Sequence, residues 1–459
     1  MLNKIKGYKQ SDQFDLFIDD PFYDQSILNR ECQIYGQEKE YLPLSDFPNI
    51  ENSIYNLSNN MKEFKAISDV CYHYPGPDPN DLINIGLVKC IFDAIDFGVS
   101  NKILDSIMDI LIYLSVLDDN ACLDQTNPDI FYKLLCKLNQ SNKDIKLKIL
   151  IFLNNILIKN DNSNLIRVLL SGDAISSLIN CCLITENIKN TVITLKILYI
   201  VSESLINADK IDELDKFNLI IPFLMEKLQN PDRIQTQVLK CFSNLSYNEE
   251  CLNMVFHFNI FDLINKLAKN GFLNQAPFIF VVINNIILCT QQFNEFLNDD
   301  IIKLGLNSIK SHDSDFGNPI FLFFDSLIEE NYPILQKYDI FSQFFEISGY
   351  CNLKKKIKIT FFFVHLLNYL LDDNQNNSKL CGEMFEFILD YLEVLSPKKL
   401  DVTLGVIIKA FEKDYQFYIQ ISEHFGLYDS LVNIYSQIPE KNKLNISYIL
   451  QNFYKDTTE

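Results

Sequence analysis

A unit made of a short amphipathic helix, a polar turn and a longer, more apolar helix recurs about every 40–45 residues from Ile85 onward. Each unit opens on a compact apolar phrase. In order these are Ile85-Gly86-Leu87-Val88, Asp129-Ile130-Phe131, Asp173-Ala174-Ile175, Leu219-Ile220-Ile221-Pro222, Asn259-Ile260-Phe261, Asp300-Ile301-Ile302, Asp339-Ile340-Phe341, Met384-Phe385-Glu386-Phe387 and Gly426-Leu427-Tyr428. A module of this size cannot cover its own apolar face, so consecutive modules must stack. The period predicts an all-α, right-handed superhelical solenoid of about eight or nine repeats. Such stacks offer a long concave surface and seldom a deep pocket, so partner binding is the expected function.

Composition narrows the partner. Of 459 residues 48% are hydrophobic, enough for a continuous core, and glycine is scarce at 13. The formal net charge is −20, from 60 acidic and 40 basic residues. A basic footprint for nucleic acid is missing, and an anionic membrane surface would repel such a chain. A basic protein or peptide partner suits it, and simple solubility explains the charge equally well. The longest apolar run, Pro277 to Thr290, is too short to span a bilayer. No secretory pattern follows Met1, and the twelve cysteines are scattered without a framework, most of them inside apolar helical phrases. They read as reduced core residues of a cytoplasmic or nuclear protein.

Residues 1–60 read as an acidic, largely disordered arm, with Ser11-Asp12-Gln13-Phe14-Asp15-Leu16-Phe17-Ile18-Asp19-Asp20 alternating acid and apolar side chains and Pro21, Pro43 and Pro48 breaking helix. The repeat domain occupies 61–459. Its first helix is expected from Asn60 to Cys71, before the breaker Pro75-Gly76-Pro77-Asp78-Pro79. The last helix carries Ile446, Ile449, Leu450 and Phe453 on one stripe, with polar residues opposite, as an array end requires. One basic run, Lys354-Lys355-Lys356-Ile357-Lys358, is either a docking or transport signal or the solvated opening of a helix.

Within one long helix stands Val238-Leu239-Lys240-Cys241-Phe242-Ser243-Asn244-Leu245-Ser246-Tyr247-Asn248, with counterparts at Leu153-Asn154-Asn155-Ile156 and Ile283-Asn284-Asn285-Ile286. These phrases resemble the third helix of the armadillo family, and the chain is distantly similar to its importin-alpha-type and beta-catenin-type solenoids. The resemblance implies a column at Ser115, Asn155, Ser204, Asn244, Asn285, Ser326, Asn368 and Ala410. In that family the matching Asn lines the concave groove and hydrogen-bonds the main chain of an extended peptide. An amide has both a donor and an acceptor, so it pairs with peptide groups without reading sequence. The same residues also suit capping, turn or packing roles.

An importin-alpha-like nuclear import adaptor is an alternative reading, yet this chain has no Trp for the lysine slots of that family and its arm is acidic. The residues four before the column, Leu111, Ile151, Ile200, Lys240, Val281, Leu322, Val364 and Val406, are almost all aliphatic, which suits an apolar groove or plain burial. A chaperone co-factor or assembly regulator on the same fold is a further alternative. No phosphate-binding glycine motif, nucleophile elbow or clustered metal-ligand pattern is present, and the five histidines are dispersed. The expectation is a non-enzymatic protein with no cofactor.

Overall fold

The computed structural model describes residues 41–57, 60–71, 76–115, 128–159, 163–170, 174–184, 188–229, 234–291, 294–311, 318–372, 378–436, 438 and 440–454. Residues 1–40 of the expected arm lie outside them. Among the described residues the secondary structure is helical, apart from one isolated bridge between Leu42 and Pro77. Tyr41 onward belongs to the folded part. Pro48 opens α1 (Pro48–Asn56) at its first turn, where a missing N–H costs nothing, and Ile50, Ile54 and Leu57 are buried. α2 (Glu63–Cys71) follows, close to its expected bounds.

The array then reads α3 (Pro79–Asn84), α4 (Leu87–Phe97), α5 (Asn101–Leu114), α6 (Pro128–Gln140), α7 (Lys143–Lys159), α8 (Ser163–Leu170), α9 (Ala174–Ile184) and α10 (Ile188–Asn207). A 3-10 stretch, Ile211–Ile220, leads to α11 (Ile221–Gln229), α12 (Gln235–Leu245), α13 (Glu249–Phe256), α14 (Ile260–Asn270) and α15 (Ala276–Thr290). Then come α16 (Asp299–Lys310), α17 (Asn318–Glu330), α18 (Tyr332–Lys337), α19 (Ile340–Ser348), α20 (Leu353–Asp372), α21 (Ser378–Asp390), α22 (Pro397–Lys413), α23 (Tyr415–His424), α24 (Leu427–Tyr435) and α25 (Glu440–Phe453). Helix triplets alternate with helix pairs along the chain.

The apolar opening phrases mark a particular joint. Gly86, Asn259, Asp339 and Gly426 have φ of 86°, 52°, 48° and 66°, and each directly precedes the second helix of a triplet. This left-handed conformation turns the chain sharply between two short helices, and Gly, Asn and Asp tolerate it best. The phrase at Met384 is different, because it lies inside α21 rather than at its start.

The chain divides into two compact units, with the boundary between Leu263 and Ile264 in α14. In the N-terminal unit α2, α5, α7, α10 and α12 pack successively side by side. In the C-terminal unit α15, α17, α20, α22 and α25 do the same. The shorter helices pack against the long helices of each row. The core of the C-terminal unit is a relay of aromatic rings, including Phe280–Phe323 at 5.1 Å between centroids, Phe344–Phe362 at 4.8 Å and Phe411–Phe453 at 4.9 Å. Edge and tilted contacts of this kind add to the burial of large apolar areas. Gly305 of α16 makes room for the relay, since a Cβ there would stand 3.0 Å from the rings of both Phe280 and Phe324.

Some of the cysteines are core residues, whereas Cys136 is exposed and Cys90, Cys289 and Cys351 are half-buried. Cys71, Cys182, Cys241 and Cys251 are buried as free thiols. Burial pushes Cys71, Cys241 and Cys251 up to about 12. Among the described residues no helix is long and apolar enough to cross a membrane.

Candidate partner-binding face

Along each row, neighbouring long helices are tied by polar rungs between residues about one repeat apart. In the N-terminal unit Lys148 of α7 reaches Asp105 and Asp109 of α5 at 2.8 and 2.7 Å, and Asp109 also accepts from Ser68 of α2 at 3.5 Å. Burial pulls the Lys148 ammonium down, but its hydrogen bonds to the two carboxylates outweigh this and hold it above its ordinary value. Further along, Asn155 Nδ2 donates to Ser115 Oγ at 3.0 Å, and Ser115 Oγ donates to the Ile112 carbonyl at 2.7 Å. Asn244 Nδ2 donates to the Tyr199 carbonyl and to Ser202 Oγ at 3.2 and 3.0 Å. Burial, reinforced by the Glu203 carboxylate that its hydroxyl meets at 3.2 Å, raises Tyr199 well above the usual phenol range.

The C-terminal row repeats the device with more charge. His365 Nδ1 of α20 lies 2.7 Å from an Asp325 carboxylate oxygen of α17. Lys409 of α22 donates to Asn368 Oδ1 at 2.8 Å and pairs with Asp372 at 2.6 Å. Asn445 of α25 donates to Asp401 at 3.0 Å, and the Tyr448 hydroxyl meets Glu412 at 3.4 Å. Lys399 sits over the Phe361 ring, 5.5 Å from its centroid. Residue numbers rise together on both helices of each pair, so the long helices of a row run parallel.

The column expected from sequence falls along these rows. Ser115, Asn244 and Asn285 are buried, at 7%, 9% and 8% exposure. Asn155, Ser204 and Ser326 are half-buried and Asn368 is exposed. Ala410 is fully buried. Ser326 turns its hydroxyl onto the Phe323 carbonyl. Of the aliphatic column, Leu111, Val281, Val364 and Val406 are buried, whereas Ile151, Ile200, Lys240 and Leu322 keep partial access to solvent. The residue that α10 offers to Asn244 is Ser202, two positions before Ser204.

Two features were hidden in the basic run and in the helix ends. Lys355 is no solvated cation: it is 3% exposed and its Nζ donates to the Ile309 and Ser311 carbonyls at the C-terminal end of α16. A cation there satisfies orphan carbonyls and complements the helix dipole. Conversely, Glu329, Glu330, Asp372 and Glu412 lie exposed in the last turns of α17, α20 and α22, where the dipole disfavours them. Chemically the rows offer amides, carboxylates and half-exposed aliphatic side chains. Among the described residues no His, Cys, Asp and Glu group is arranged to hold a metal ion.

No protein-family model matches this sequence, and no curated protein matches it. Solved structures do match. An engineered protein solved as a structural-genomics target superposes with a TM-score of 0.61 at 10% identity, covering 88% of this chain and 98% of the other. A structure from work on a phosphorylation switch that controls the interaction between cadherin and beta-catenin superposes with a TM-score of 0.53 at 12% identity, covering 88% and 86%. At such identities the likeness is one of fold, and the chain is an all-α helical repeat protein.

Proposed function

We propose that this chain is a non-enzymatic binding scaffold of the armadillo type that holds an extended, basic segment of a partner protein along a row of long helices. The observation that carries this reading is that the parallel row of each unit bears solvent-accessible polar groups on two successive long helices. These are Asn155 and Ser204 in the N-terminal unit and Ser326 and Asn368 in the C-terminal unit, and the pitch of a helical stack suits an extended chain. The buried members Ser115 and Asn244 hold rungs between neighbouring helices. Carboxylates at Glu329, Glu330, Asp372 and Glu412 supply the negative edge that a basic segment needs. The net charge of −20 steers such a partner toward the chain.

The likeness to a beta-catenin structure supports protein partners in general and leaves the cargo open. An import-adaptor role finds less support, because the chain lacks any tryptophan for lysine slots. The test is fluorescence anisotropy of the full chain with a labelled extended lysine- and arginine-rich peptide, beside an acidic peptide of equal length. The basic peptide should bind, weaken as salt rises, and lose roughly tenfold in affinity in the variant Glu329→Gln, Glu330→Gln, Asp372→Asn, Asn368→Ala. Absence of binding at low salt, or an unchanged affinity in that variant, overturns the reading.

A further inference from the structure

The C-terminal row has a second face of opposite character. Its helices α20, α22 and α25 begin with Leu353-Lys354-Lys355-Lys356-Ile357-Lys358, Pro397-Lys398-Lys399 and Glu440-Lys441-Asn442-Lys443. Lys358, Lys399 and Lys443 stand at one level. Their separations are the 41- and 44-residue offsets that the rungs Lys409–Asn368 and Asn445–Asp401 establish between the same helices. Lys354 and Lys398 are exposed beside them. The acidic groups within these starts are Asp401, which accepts from Asn445, and Glu440. Lysine at the start of a helix opposes the helix dipole, so helix stability does not account for three such starts in succession. Each also leaves an apolar residue open to solvent nearby: Leu353 is 51% exposed, Val402 44% and Leu444 72%. Rings lie among the cations, with Lys399 over Phe361 and Lys443 over Tyr435, each at 5.5 Å.

We propose that this lysine strip docks the chain's own acidic segment, Ser11–Asp20. Charge complementarity selects that occupant. In a chain of net charge −20 the strip is a local reversal of sign, and Asp12, Asp15, Asp19 and Asp20 alternate with Phe14, Leu16, Phe17 and Ile18. Carboxylates every few residues match ammonium groups spaced by helices, while the intervening apolar side chains find Leu353, Val402, Leu444 and the rings. A partner with an acidic, aromatic-containing segment would compete with this one. This contact is independent of the basic segment proposed for the opposite edge.

The experiment is zero-length carbodiimide cross-linking of the full chain with peptide mass spectrometry, in an equal mixture of isotopically light and heavy protein. Amide cross-links are expected from Asp12, Asp15, Asp19 or Asp20 to Lys354, Lys358, Lys398, Lys399 or Lys443, within one copy, and reduced more than fivefold at high salt. The variant Asp12→Asn, Asp15→Asn, Asp19→Asn, Asp20→Asn provides the cross-linking blank. In Phe14→Ser, Phe17→Ser, which keeps every carboxylate, these cross-links should fall severalfold. A charge swap, those four aspartates to Lys together with Lys354→Glu and Lys398→Glu, should restore them with the reacting partners exchanged. Cross-links confined to light–heavy pairs, links scattered over other lysines, or none above the blank would each overturn the proposal.

Discussion

Lys355 illustrates how much one residue can mean in this array. Its ammonium is withdrawn from water and satisfied by the last carbonyls of α16, so removing it leaves two buried acceptors unpaired. Lys355→Met should lower stability by about 2–3 kcal/mol, read from the midpoint of urea unfolding, whereas the exposed neighbour variant Lys354→Met should leave it unchanged. Nothing in five consecutive basic and aliphatic letters distinguishes those lysines. Only the stacking of α20 on the end of α16 does. The column was legible to the same extent. Asn155 and Asn244 each tie their helix to the preceding long helix, through Ser115 and Ser202. Ser204 misses its rung by two positions, because α10 runs for 20 residues and a 3-10 stretch intervenes before α11. Counting letters carries no information about where such an insertion is absorbed.

Among the elements, the joints between short helices set the direction of each triplet. The space around Gly86 and Gly426 is open, with nothing within 4 Å of an added Cβ, so their backbone conformation alone selects glycine. Gly426→Ala should cost about 1 kcal/mol, and Gly426→Asn clearly less, measured side by side as shifts in the thermal midpoint. Gly305 is the opposite case, since its φ is ordinary and its surroundings are full. Gly305→Val should drive a branched side chain into Phe280 and Phe324 and cost about 3 kcal/mol, with altered near-ultraviolet dichroism from the displaced rings. Helix identity and the repeat period were readable because apolar spacing and turn chemistry are local. Pro48 was read as a breaker and instead opens α1, because proline ends one helix and begins another with the same ring.

At the level of the whole molecule, the buried acids predict a sensitivity to alkali. Cys71, Cys241 and Cys251 hold their protons up to about 12 when folded, against 9.0 for an unburied thiol. Tyr247 and Tyr454, pushed by burial to about 12, act in the same direction. Above about pH 9 the unfolded chain therefore binds fewer protons than the folded one, and stability falls as pH rises toward 12. Urea midpoints between pH 7 and 11 should decline, and the decline should be shallower in Cys71→Ala, Cys241→Ala, Cys251→Ala. Among the described residues α25 packs against one long helix of the C-terminal row, α22, so its amides should exchange hydrogen faster than those of α17, α20 and α22, which pack between two.

The rungs described above carry one more consequence, for how the protein is made. Each joins residues some 36 to 45 positions apart, and none demands the closure of a longer loop. A growing polypeptide can therefore complete every tie soon after the next module leaves the ribosome, without waiting for distant sequence. Synthesis and folding can advance at the same pace, one repeat behind the exit tunnel.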